Sequence, residues 1–129
     1  MAALSSEEIA HFDREGYVVV KDVINPVNTL DPVIAEYATV LDRLADQLFT
    51  AGDIDSRYTE LDFGARYTQI CIDTRKVHSQ YFDFSLPFQN VQADTPFWAG
   101  PAVFNALSDP DLLDAVESLI GGEITSNPV

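Results

Sequence analysis

A chain of 129 residues with 47% hydrophobic side chains is long enough for one hydrophobic core and too apolar to be disordered. Its 21 Asp and Glu against 7 Lys and Arg leave a formal charge of −14, which repels phosphate backbones and anionic lipid and so argues against nucleic acid and membrane surfaces as partners. The lone Cys71 makes no internal disulfide, the N-terminus has neither a basic nor an apolar signal region, and no apolar run reaches the roughly 18 residues of a membrane span, so the expected compartment is the cytoplasm.

Ser5 and Glu8 have the spacing of a capping box, with Leu4 and Ile9 placed as a hydrophobic staple, which predicts a first helix over Ser6 to Glu15 ended by Gly16. Tyr17-Val18-Val19-Val20 and Val23-Ile24 are β-branched runs too short for a helix and predict a strand. Asn25 to Asn28 reads as a turn. Asp31-Pro32 reads as an N-cap followed by proline, opening a helix of roughly 18 residues that stops near Gly52 and carries Val33, Ile34, Tyr37, Val40, Leu41, Leu44, Leu48 and Phe49 on one stripe. Asp53 to Asp62 is a polar loop, and Phe63, Tyr67, Ile70 and Cys71 predict a third helix.

The aromatic stretch Tyr81 to Phe88 reads as a buried loop or a short strand. Two short helices are expected after it, one around Pro101 to Leu107 and one capped by Asp109, with Pro110 at its first position and Gly121-Gly122 at its end. Residues 123–129 read as the opening of a second strand. Residues 1–129 therefore read as a single unit that breaks off in mid-structure, with Phe97, Trp98 and Phe104 as core.

The chemistry in this pattern is sparse. His11-Phe12-Asp13 matches the His-x-Asp element of a two-His-one-carboxylate iron triad, with His78 as a distal ligand. On a helix, however, residues i and i+2 point about 200° apart, and the capping box puts this pair in mid-helix. No Lys or Arg follows Lys76 to neutralise a carboxylate cosubstrate. These three residues are therefore expected to be ordinary polar side chains. Cys71, between Ile70 and Ile72, reads as a small buried hydrophobe. Asp53/Asp55 and Asp109/Asp111 read as solvated caps, and Arg57, Arg66, Arg75 and Lys76 as a solvated helix face paired to acids, with binding of an anion as the alternative. No catalytic, cofactor-binding or metal-binding residue is assigned in this chain.

The order of the elements resembles the N-terminal part of the phytanoyl-CoA dioxygenase family of iron(II)- and 2-oxoglutarate-dependent oxygenases. Three stretches carry the likeness: Leu4-Ser5-Ser6-Glu7-Glu8-Ile9 continuing to Gly16-Tyr17-Val18-Val19-Val20, then Gln80-Tyr81-Phe82-Asp83-Phe84-Ser85-Leu86-Pro87, and Leu107-Ser108-Asp109-Pro110-Asp111-Leu112-Leu113 continuing to Leu119-Ile120-Gly121. The resemblance spans essentially the whole chain and includes no metal ligand. It implies an α+β fold, the helix-rich N-terminal portion of a double-stranded β-helix, or jelly roll, with short strands near 17–24 and 123–129. The second and fifth helices would bury their stripes against the sheet, and the loops Asp53 to Asp62 and Tyr81 to Phe88 would line the substrate mouth. It implies iron(II) and 2-oxoglutarate for the full-length protein, both held beyond Val129 and neither by this chain, and hydroxylation of a small or lipid-like substrate. A competing reading is a stand-alone acidic helical module that binds a basic partner; a third is an oxygenase relative without catalysis.

Overall fold

The computed structural model describes residues 3–82, 90–95 and 100–126, and every regular element among them is helical. Helix α1 (Ser6–Glu15) starts on the capping box: the Ser5 hydroxyl accepts from the Glu8 amide at 3.3 Å, and the Glu8 carboxylate accepts from the Ser5 amide at 2.8 Å. Each bond satisfies a donor that a helix start otherwise leaves open. Gly16 closes the helix at a φ of 79°, a left-handed geometry that costs a residue with a β-carbon about 1–2 kcal/mol.

A π-helical turn over Pro26–Leu30 leads directly into α2 (Asp31–Ala51). Asn25, rather than Asp31, caps this run, its side chain accepting from the Asn28 amide at 3.2 Å. Asn25-Pro26 repeats the cap-then-proline pattern of Asp31-Pro32, and the upstream pair starts the winding. Pro32 has no N–H to offer the carbonyl four residues back. The wider turn, in which the Asp31 amide reaches the Pro26 carbonyl, accommodates that gap. Helix α3 (Phe63–Thr74) is capped by Asp62, a 3-10 turn covers Ser79–Tyr81, and α4 (Pro101–Leu107) and α5 (Pro110–Ile120) complete the described elements.

The chain divides into two compact units, one built from residues up to Pro32 and from Pro101 on, the other from Val33 to Gly100. In the first, α1 packs on α5, and the Leu4 amide donates to the Ser118 hydroxyl at 3.2 Å. The π turn meets α4, and Thr29 donates its hydroxyl to the Asp109 carboxylate at 2.7 Å. In the second unit Leu41, Leu44 and Ala45 of α2 meet Ile70 of α3 and Ile54 of the intervening loop, all essentially inaccessible to solvent. Phe82 plugs one side of this core, its ring 5.0 Å from Tyr67, 5.6 Å from Tyr37 and 5.7 Å from Phe63.

The expected α+β, jelly-roll-type fold is corrected by these observations: among the described residues there is no strand and no sheet. Residues 17–24 and 123–126 carry β propensity or follow a glycine stop, but a strand exists only where a second segment completes its hydrogen-bond ladder, and none of the described residues does so. Residues 127–129 and most of the stretch Tyr81 to Phe88 lie outside the described residues. Leu41 and Leu44 of the α2 stripe are covered by the chain's own Ile54 and Ile70 rather than by a sheet, whereas Ile34 and Phe49, expected on the same stripe, are 52% and 38% exposed. Phe104, expected in the core, is 67% exposed, because in the short α4 it is the adjacent Val103 that turns inward. Phe97 and Trp98 are outside the described residues.

The Asp109 cap carries a pH prediction. The Thr29 hydroxyl, and after it the Leu112 amide, hold its carboxyl below the ordinary carboxylate range. A carboxylate so lowered stabilises the fold above its unfolded pKa and loses that contribution as pH falls through the folded value. Asp109→Ala is therefore expected to lower the thermal midpoint at about pH 7 and to shrink its fall between about pH 7 and pH 3. An unchanged midpoint would show the cap to be idle.

Candidate functional site

His11 and Asp13 sit within α1, two residues apart, so their side chains diverge around the helix. The Arg14 guanidinium donates to His11 Nδ1 at 3.3 Å, and the imidazole meets the Tyr17 ring edge-on at 5.3 Å. His78 belongs to the other unit and is only 6% exposed. Its Nε2 is 2.9 Å from the Thr74 hydroxyl, whose one proton goes to the Ile70 carbonyl at 2.8 Å, so Nε2 is the donor and not a free lone pair. Among the described residues no group of three His, Cys, Asp or Glu side chains could hold a metal ion. The donor set of the described residues does not fit iron, and no step of iron chemistry is assigned to them.

Burial first, and then the charge of Lys76, push the His78 imidazole below its ordinary value of 6.5. Protonation therefore favours the unfolded chain: stability is complete above about pH 6.5 and falls as pH drops toward the lower folded value. His78→Gln, which keeps an N–H for Thr74 but cannot titrate, is expected to flatten that part of the profile in urea unfolding between about pH 7.5 and pH 5. A wild-type profile retained in the variant would assign the slope to other groups.

Around this histidine, Cys71 is half-buried rather than buried as expected, and its neighbour Tyr67 has its hydroxyl pushed above the ordinary range, by burial first and by the Cys71 thiol second. Burial on the face of α3 goes instead to Arg66, 7% exposed, which pairs with Asp42 and donates from Nε to the Arg57 carbonyl at 2.8 Å. Arg57 pairs with Asp46 and lies 4.0 Å over the Phe49 ring. These two arginines hold α2, α3 and their loop together, whereas Arg75 and Lys76 are exposed and unpaired among the described residues. Asp53 and Asp55 lie in the loop, with Ile54 between them turned into the core.

Neither spacing nor motif pointed to a cleft of about 300 Å³ in the first unit lined by Glu7, Glu8 and His11 of α1 and by Tyr17, Val18 and Val19. Its signal in the sequence was the i, i+4 placement of Glu7 and His11 just before a β-branched run. Glu8 is fixed there by the Ser5 hydroxyl and the Ser5 amide, which hold its carboxyl below the ordinary range. Across the cleft, Tyr17 and Val19 are 59% and 76% exposed while Val18 and Val20 are half-buried, the period-two alternation of extended backbone. No hydrogen bond ties the backbone of residues 17–20 to any described residue. No helix among the described residues is long and apolar enough to cross a membrane. No protein-family model matches the chain, and no curated protein or solved structure does either.

Proposed function

We propose that this chain is a non-catalytic N-terminal portion of an iron(II)- and 2-oxoglutarate-dependent oxygenase of the phytanoyl-CoA dioxygenase type, whose complete protein hydroxylates a small or lipid-like organic substrate. The observation that supports this reading is the pairing of its two most family-like segments. Leu4 to Val20 and Leu107 to Gly121 are remote in sequence, yet α1 and α5 pack in one unit and are tied by the bond from Leu4 to Ser118. Segments that resemble one family and also pack together are more readily explained by a shared ancestral architecture than by two unrelated likenesses. In this reading the chain supplies packing and surface, and the ligands for iron and 2-oxoglutarate come from residues outside it.

The test is the reading frame past the codon for Val129. A continuation with His-x-Asp or His-x-Glu, a later His and a following Arg or Lys is expected; an immediate stop codon would remove the reading. The 129-residue chain alone is expected to bind iron(II) no better than background under anaerobic titration. Tight one-to-one binding abolished by His11→Ala would reinstate the His-x-Asp pair as a ligand set.

A further inference from the structure

The cleft in the first unit has two walls of different chemistry. One is the α1 surface bearing Glu7 and Glu8; the other is the run Tyr17 to Val19, whose backbone makes no hydrogen bond to any described residue. A run whose exposure alternates as in a strand, and whose backbone is not bonded to any described residue, is a template for one more strand. What would pair with it is decided by charge. The unit's described cations are Arg14 and Lys21, Arg14 is already paired with Glu15 at 2.7 Å, and acids are distributed along both α1 and α5. A second copy of this chain, itself at −14, would bring acid to acid.

We propose that this cleft binds an extended segment of a basic partner protein by strand addition along residues 17–20, with Lys or Arg at alternate positions facing Glu7 and Glu8 and apolar residues between them. Alternation follows from the geometry of a strand: side chains on one face of the added segment meet the carboxylates of α1, and those on the other point away from them. The edge-on contact between His11 and Tyr17 fixes one end of the run against the helix, so the template is held in place before binding. The inference does not depend on the oxygenase reading and stands or falls on different measurements.

The test is an amide NMR titration of the whole chain with a seven-residue peptide of alternating lysine and valine. Saturable shifts centred on residues 17–20 are expected. They should disappear with the same peptide N-methylated at every second residue, which removes the donors of one edge without touching the protein, and they should be absent with a glutamate/valine peptide. Glu7→Gln, which leaves the capping box intact, is expected to weaken binding about fivefold, and raising salt from about 50 to 500 mM about tenfold. Any of four results overturns the proposal: equal binding of the glutamate peptide, undiminished binding of the N-methylated peptide, no binding of the lysine peptide at millimolar concentration, or shifts at 17–20 that depend on protein concentration without peptide, which would put a second copy in the cleft.

Discussion

Leu44→Ala is expected to destabilise the unit that contains it by about 3 kcal/mol, whereas Ile34→Ala on the same helix should cost no more than about 0.5 kcal/mol. Leu44 is 1% exposed and closes on Leu41, Ala45, Ile54 and Ile70, so truncation removes buried area and leaves a cavity that two helices and a loop must collapse to fill. Ile34 is 52% exposed and gives up little. The pair is informative because both residues belong to the same apolar stripe when read from sequence alone, and only the fold separates them. Urea unfolding with a common slope for the two variants checks it; similar midpoints would mean that the core is not centred on Leu44.

The second large effect concerns an ion pair. Arg66 keeps 8% of its side-chain surface exposed and Asp42 keeps 60%, so Asp42→Asn leaves a buried guanidinium facing a neutral amide where its carboxylate partner was. Breaking a fully buried pair costs about 3–5 kcal/mol; the exposure of Asp42 and the surviving bond to the Arg57 carbonyl reduce the expected loss to about 1–2 kcal/mol. The pair of Arg57 with Asp46 has the same chemistry but both partners substantially exposed, at 42% and 62%, and Asp46→Asn should cost no more than about 0.5 kcal/mol. Comparing the two variants at low and high salt checks the reasoning, since only the exposed pair is strongly screened. Equal losses would show that burial of Arg66 contributes nothing.

The helix boundaries were the most legible part of this fold because capping is settled within four residues. Ser5 with Glu8 and Asp109 with Pro110 did what their local chemistry requires, and α1, α4 and α5 run where the sequence places them. The expected strands failed for the opposite reason: Tyr17 to Val20 can choose an extended course alone, but a ladder needs a distant partner that no local pattern names. Asp31 was outcompeted by an identical signal six residues earlier at Asn25. Arg66 was legible and overlooked, since it stands three residues after Phe63 and four before Ile70 and so lies on the apolar face of α3. The burial of His78 had no such signal. It depends on the chain turning back after Arg75, where a non-glycine residue sits at a φ of 54°. The divergence of His11 from Asp13, by contrast, follows from the helix alone.

The first unit is made from the two ends of the sequence, with the second unit contained between them. During synthesis, therefore, residues 33–100 can collapse as a contiguous piece as soon as they emerge, while α1 must wait for α5, 114 residues separating Leu4 from Ser118. Closing so long a loop is slow compared with forming local helices, which makes docking of α1 on α5 the late step of folding. Until it happens, the apolar side of the first helix travels uncovered, and the acidic side chains beside it help to keep nascent chains apart.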